Sequence, residues 1–527
     1  MRRVLRSAAA LLALGAGAGR AGAQEPSAPL RRPTAYEDLQ MFSQVLNQIR
    51  VNHPDSVDTH DLFMAAVEGM VAAADPHSFV IRATRLAPER ERALREGRLH
   101  PVPVRFTFVG GSPVVVGVAP GSEAARADIL PGDALVAVDG RPVTAESAEE
   151  LEIALSGERG TSVRLTLERR RVDGSLARLE RTVKRSRQEE ETAVPTSFLL
   201  DPGTGYVRVT TFSNERAAED LHRAIEELER GGMRRLVLDL RDNGGGRVDE
   251  AARVAGEFLP AGSVVYTAEG RKEELRRTGK VGRSFWRSER RYPIVVLVNS
   301  GTASASELVA GALQDHDRAL VVGRPTFGKS LMMRGFPLTD GSVIMLVVGH
   351  VKTPCGRVIQ RQYRNVTRRD YYRLAVEARD TAGRPSCRTA GGRTVYGGGG
   401  IYPDVVLPEA TTPLWLARVH EEELPLQWIG GYVSANPGAF TTPAALAASP
   451  VLPAAALADF RRFAAGQGVE VPAGAEADAL LQRALVRGIA AVKWGSAGYY
   501  RVSAVLDPEV AAAVGEFSRA ATILGPR

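Results

Sequence analysis

Two short runs constrain this chain more than any other feature. Residues 236–240 and 294–298 are apolar at nearly every position, Asp239 being the exception, and each is too short for a core helix. Strands of that kind are buried on both faces, which predicts a parallel sheet covered by helices. The first run breaks into Arg241-Asp242-Asn243-Gly244-Gly245-Gly246 and the second into Gly301-Thr302-Ala303-Ser304-Ala305-Ser306. Helical patterns follow both breaks. A further helix, with Ala217, Leu221, Ala224, Ile225 and Leu228 on its apolar face, separates a strand at 206–211 from the first run. Ser213 is expected to cap it and Gly231-Gly232 to end it. Another strand is expected at 319–322. Repeated strand–helix–strand units place function at the strand-to-helix turns.

The remainder divides by pattern. A length of 527 residues suggests about three domains, and 44% hydrophobic with 24% charged residues excludes a disordered or collagen-like chain. Residues 1–23 carry Arg2, Arg3, Arg6 and Arg20, a short apolar stretch and Ala21-Gly22-Ala23, as a secretory signal peptide does. A membrane anchor is the alternative reading. Without those four arginines the net charge falls from +7 to +3, and no basic stripe remains to suggest nucleic acid. Residues 24–100 read as a linker and helical segment, with helices near 36–50 and 62–74. Residues 101–185 read as short strands with a helix at 146–155, residues 195–410 as the strand–helix core, and residues 411–527 as an Ala-rich helical region.

Lys329 admits two chemistries. Gly323-Arg324-Pro325-Thr326-Phe327-Gly328-Lys329-Ser330 fits the P-loop pattern. That loop needs a helix after its lysine, and Gly335 and Pro337 leave little room for one; nucleotide is therefore not expected. The second chemistry pairs Lys329 with Ser304, where an apolar strand turns into a helix beside free backbone N–H groups that can stabilise an oxyanion. A plain N-cap is the alternative for Ser304. Serine needs a base, and lysine serves only when neutral. Lowering its pKa from ~10.4 by about three units costs roughly 4 kcal/mol, which burial against Phe327, Leu331 and Met332 can supply.

The wording around these residues resembles the carboxyl-terminal processing peptidases, or tail-specific proteases. The similar segments are 301–307, 310–315, 322–329, the glycine turn at 236–246, Thr353-Pro354-Cys355-Gly356-Arg357-Val358-Ile359-Gln360, Gly399–Asp404 and Asp75-Pro76-His77-Ser78. Residues 119–140 resemble a PDZ domain, a module that binds peptide carboxyl ends by strand addition. The resemblance implies an α/β fold: a crotonase/Clp-type spiral peptidase core with a helical N-terminal prefix, an inserted PDZ-like domain and a helix-rich C-terminal extension. It implies an exported, periplasmic or cell-envelope serine endopeptidase acting on flexible protein tails with a Ser304–Lys329 dyad. Ala305 and Gly245 would give the oxyanion N–H groups. A silent peptide-binding scaffold of the same fold is the alternative. No cofactor or metal is expected, membrane-surface association is compatible with export, and oligomeric state is left open.

Two departures stand out. Relatives usually carry glutamine four residues after the lysine, where this chain has Met333; Thr326, Ser330 or a water could take its place as acceptor. Where the PDZ carboxylate loop is usually Gly-rich, this chain has Pro101-Val102-Pro103-Val104, which puts carboxylate capture there in doubt. Cys355 and Cys387 either pair in an oxidising compartment or remain two buried thiols. His316 reads as a helix-end surface residue and His77 as a packing residue.

Overall fold

The computed structural model describes residues 33–524, apart from 83–88, 90–92, 94–98, 110, 119–121, 146–147, 172–174, 186–191, 284–289, 364–370, 372–380 and 410. The signal-peptide reading of residues 1–23 lies outside the described residues. The chain divides into two compact units, residues 1–69 and 70–527. In the first, α1 (Ala35–Asn52) opens with a capping box between Thr34 and Glu37 and buries none of its residues. Within that unit Phe42 meets Phe63 edge-on, with 6.0 Å between ring centres. Most of α2 (Thr59–Ala74) also belongs there.

The second unit begins with a turn and a short strand, β1 (Phe79–Ile81). In the turn, the Asp75 carboxylate accepts from the N–H groups of His77 and Ser78. Residues 104–184 make a small β domain: β2 (Val104–Val109), β3 (Ser112–Val118), α3 (Glu123–Arg126), β4 (Ala134–Val138), β5 (Arg141–Pro142), α4 (Ala148–Leu155), β6 (Ser162–Arg170) and β7 (Leu176–Lys184). Its sheet runs β2-β3-β4-β6-β7, all antiparallel. Alternate positions of β6, including Val163, Leu165 and Leu167, meet Leu151 and Leu155 of α4 in a common core.

The central sheet is formed by β8 (Thr196–Asp201), β9 (Thr204–Arg208), β10 (Arg235–Asp239), β13 (Ile294–Val298), β14 (Leu320–Gly323) and β19 (Val405–Val406). Three helices alternate with these strands: α5 (Ala217–Arg230), α6 (Val248–Ala255) and α7 (Ala305–Asp315). The spatial order is β19-β14-β13-β10-β9-β8, parallel except for β8. The strand residues sort by face. Leu236, Leu238, Val296, Val298 and Val321 pack under α5, α6 and α7, whereas Val237, Val295, Leu297, Leu320 and Val322 point the other way. The apolar face of α5 is as read, but the helix starts at Ala217 with Arg216 at its N-cap and no side-chain cap. Ser213 is not the cap because residues 213–216 are occupied in turns closed by the side chains of Thr211 and Asn214.

A second, antiparallel sheet stands beside the first. It contains β1, β11 (Val264–Gly270), β12 (Arg277–Lys280), β15 (Leu331–Pro337) and β16 (Val343–Lys352). A hairpin of β17 (Ser386–Arg388) and β18 (Thr394–Tyr396) carries Cys387, which forms a disulfide with Cys355. The alternative of two separate buried thiols is thereby corrected: the hairpin brings Cys387 onto the turn at 353–356, and both residues are only half-buried. C-terminal to the sheet come α8 (Leu414–Glu421), α9 (Leu424–Ala435), α10 (Pro443–Ala448), α11 (Ala454–Gly466), α12 (Ala475–Val505), α13 (Pro508–Gly515) and α14 (Phe517–Ile523). The first five form a core of their own around Trp428, Phe460, Leu485 and Ile489. The last two, through Val510, Ala513, Phe517 and Ala520, cover the second face of the central sheet.

Candidate active site

The turn after β13 places Ser304 in an unusual backbone conformation. Its φ is +55° and its ψ −117°, a region that side chains other than glycine enter at a cost of ~1–3 kcal/mol. The surroundings enforce it. The Thr302 hydroxyl donates to Leu240 O at 2.9 Å, and Ala303 N donates to Asn243 O at 3.0 Å, fastening this turn to the glycine turn after β10. Gly245, with φ +96°, lies against the serine: a Cβ there would come within 2.6 Å of Ala303 O, 2.8 Å of Ala305 N and 2.9 Å of Ser304 Cβ. Only glycine fits.

A carboxylate that the sequence reading passed over organises the centre. Glu307, on the first turn of α7, is fully buried. Its Oε1 accepts from the Thr326 hydroxyl at 2.5 Å and Gly328 N at 2.7 Å. Its Oε2 accepts from Ser304 N and from Lys329 N, each at 2.8 Å. The backbones of Ser304 and Lys329 therefore meet on one oxygen atom. Burial pushes the Glu307 carboxyl up to about 7, against the opposing pull of those four donors. The spacing Ser304-x-x-Glu307 is that of a capping box, the one signal in the sequence that pointed to this residue.

Lys329 is mostly buried, and burial lowers its pKa, opposed by the charge of Glu307. The segment after it is strand β15 rather than a helix, so the backbone N–H cradle of a P-loop does not form. Other contacts brace the lysine from the far side. Ser330 N donates to Gln360 Oε1 at 2.9 Å, and Arg361 N donates to Gly328 O at 3.0 Å. Met333 is half-buried, beside a bulge in the pairing of β15 with β16. Of the substitute acceptors, the Thr326 hydroxyl is committed, donating to Glu307 and accepting from Ile401 N. The Ser330 hydroxyl is buried and has no hydrogen-bond partner among the described residues.

The two oxyanion candidates differ. Ala305 N lies at the start of α7, where the first N–H groups have no partner within the helix. Gly245 N donates to Asn243 Oδ1 at 3.0 Å, so as an oxyanion donor it has to share or exchange that bond. Asn243 is a turn-shaping residue, its Nδ2 also donating to Val209 O at 3.0 Å. Asp239, wholly buried, is held well below the usual carboxylate range by Arg241 and Arg208, despite its desolvation. His316 caps the end of α7, its Nε2 2.7 Å from Val264 O, and His77 is buried edge-on against Tyr371. No group of His, Cys, Asp and Glu among the described residues is arranged to hold a metal.

A strained serine at a strand–helix turn, a half-buried lysine whose backbone shares the Glu307 carboxylate with it and a small β domain ahead of the core form an arrangement compatible with a serine-type peptidase. Comparison with known proteins agrees. The profile of peptidase family S41 matches residues 203–368, and a PDZ domain profile matches residues 114–169. A carboxy-terminal-processing protease of Bartonella bacilliformis is 31% identical over 332 residues, 62% of this chain and 73% of that protein. A chloroplastic carboxyl-terminal-processing peptidase 2 of Arabidopsis thaliana is 34% identical over 57% of this chain and 59% of its own. A solved structure titled photosystem II D1 C-terminal processing protease is 28% identical, covering 71% of this chain and 89% of its own, with a TM-score of 0.35. The chain belongs to the carboxy-terminal processing proteases of peptidase family S41.

Proposed function

We propose that this peptidase acts outside the cytoplasm on flexible C-terminal tails of proteins, with Ser304 as nucleophile and Lys329 as general base. The observation that carries the reading is the shared Glu307 oxygen, which ties both backbones together while burial favours the neutral amine. Neutral Lys329 takes the Ser304 proton as Oγ attacks the scissile carbonyl. The developing oxyanion is stabilised by Ala305 N–H and an N–H of the 244–246 turn. The protonated lysine then returns its proton to the leaving amine, and a water activated by the same amine releases the acyl group. The strain at Ser304 supports this role, because an ordinary N-cap needs no such conformation. Export is supported by the character of residues 1–23, and tail preference by the inserted PDZ domain together with the names of the relatives, carboxy-terminal-processing proteases.

The test is Ser304→Ala in the chain lacking residues 1–23, with a disordered peptide ending in apolar residues as substrate. Cleavage should vanish while the thermal transition is kept, and a serine-reactive fluorophosphonate should label Ser304 only in the parent protein. Full activity in the alanine variant refutes the nucleophile assignment.

A further inference from the structure

The C-terminal region reaches the catalytic turns through two carboxylates. Asp507 caps α13, its carboxylate accepting Glu509 N at 2.8 Å. From this corner Asp507 Oδ2 and Glu509 Oε2 both accept from Arg241 Nη1, at 2.7 and 2.8 Å. Glu509 Oε1 accepts from Arg324 Nη1. Arg241 opens the turn that carries Gly245, and Arg324 opens the segment that leads to Lys329. One carboxylate, Glu509, thus bridges the two segments on which oxyanion stabilisation and the base depend.

The charges around it balance. Three guanidinium groups, Arg208, Arg241 and Arg324, face Asp239, Asp507 and Glu509. Asp239 is fully buried and already engaged by two of them, Nε and Nη2 of Arg241 and Nη1 of Arg208. An exposed Asp242 adds a 3.4 Å contact to Arg208. Arg241 Nη1 donates to the two C-terminal carboxylates and to no other group among the described residues, and its side chain is 10% exposed. Without them this cluster keeps three buried or half-buried cations against one buried anion, and repulsion drives the two arginine-bearing segments apart.

We infer that Asp507 and Glu509 are positioning residues of the peptidase site, supplied by the last helices of the chain. They touch no reacting atom; they fix Arg241 and Arg324, and through them the glycine turn and the approach to Lys329. This inference rests on the Ser304–Lys329 reading, and its test keeps the two separable.

The test compares Asp507→Asn, Glu509→Gln and the double variant with the parent protein, using active-site-titrated enzyme. Expected for the double variant is a kcat at least tenfold lower with KM within twofold, because orientation matters mainly in the transition state. The returning substitution Glu509→Asp in the Asp507-intact chain should recover most of the rate. Amide hydrogen exchange in 240–246 and 324–329 should accelerate at least tenfold while β6 of the inserted domain is unchanged. Where the double variant does not fold, Glu509→Gln alone, which removes the carboxylate shared by Arg241 and Arg324, should lower kcat at least fivefold, and a kcat within twofold of parent then overturns the inference. A kcat within twofold of parent in the double variant, or unchanged exchange in both segments, overturns the inference. A parent protein inert toward peptide and fluorophosphonate refutes the dyad instead, and the exchange measurement then decides the clamp by itself.

Discussion

Replacing Glu307 with glutamine changes one atom and removes one charge, yet it strikes the point where Ser304 and Lys329 meet. The carboxylate accepts four hydrogen bonds, two at each oxygen. Whichever end receives the amide nitrogen, it faces at least one backbone N–H that cannot turn away. Losing one or two charge-assisted bonds costs ~1.5–3 kcal/mol each. Against this, the carboxyl is pushed from 4.5 to about 7, so holding it ionised costs about 3 kcal/mol that the neutral amide does not incur. Global stability should therefore move little at neutral pH. The parent's stability contribution from this group falls as pH rises from about 4.5 to about 7, because the unfolded carboxyl loses its proton first; the variant should lack that slope. Activity should move more. With the two backbones no longer anchored to one atom, kcat should drop ten- to a hundredfold, or ~1.4–2.7 kcal/mol. The negative charge that raises the Lys329 pKa is also gone, so the acidic limb of the kcat profile should shift to lower pH. The assay is kcat against pH for both proteins on one peptide. An unchanged plateau with an unchanged acidic limb refutes the organising role of Glu307.

Three further outcomes are expected. Met333→Gln should raise kcat by about tenfold with little change in KM, since glutamine offers a carbonyl acceptor where a thioether is a poor one; an unchanged kcat means another group, such as the Ser330 hydroxyl, unpartnered among the described residues, already serves. Gly245→Ala should reduce kcat more than a hundredfold, because its Cβ would lie 2.6 Å from Ala303 O at a φ of +96°, and retained activity would deny the close approach. Amidating the substrate's C-terminus should weaken binding by less than ~2 kcal/mol, given prolines where a carboxylate loop is usually glycine-rich; a hundredfold loss in a competition assay would show that the carboxylate is read.

Much of the core was legible because its signals are local. Apolar runs at 236–240 and 294–298 pointed to doubly buried strands and the small residues after them to turns, which placed Ser304 and Gly245 at strand ends; the roles expected of them came from the resemblance. Gly335 and Pro337 spoke only against a nucleotide loop at Lys329; its pairing with Ser304 came from the resemblance. Glu307 was not, although its capping-box spacing was visible. What buries it is Thr326, Gly328 and Lys329 arriving from another strand, a tertiary fact with no trace in periodicity. Ser213 failed as a cap because turn hydrogen bonds from Thr211 and Asn214 took up the residues before Ala217. The C-terminal helices were read as helices but not as a layer. Alternating small and apolar residues in α13 and α14 say that a face is buried, not that Val237 and Leu297 lie beneath it.

The inserted β domain is closed by its own backbone and braced by the C-terminal helices. His100 and Gly157 exchange two backbone hydrogen bonds, while Gly160 and Thr161 bond to Arg185. A second set of contacts ties the domain to those helices: Arg169 Nη1 donates to Ser434 Oγ of α9 at 3.3 Å, and the Arg170 guanidinium lies over the Phe463 ring of α11, 5.2 Å from its centre. For the architecture this means a shared wall: the recognition module, which precedes every strand of the central sheet in the chain, rests on α9 and α11 from the far end of the sequence. Excising the domain would therefore uncover the faces of α9 and α11 on which it rests, and a grafted module would have to cover them again. The geometry makes the domain and these helices neighbours in one surface, so a change in which tail is presented has to stay compatible with the helices that carry the domain.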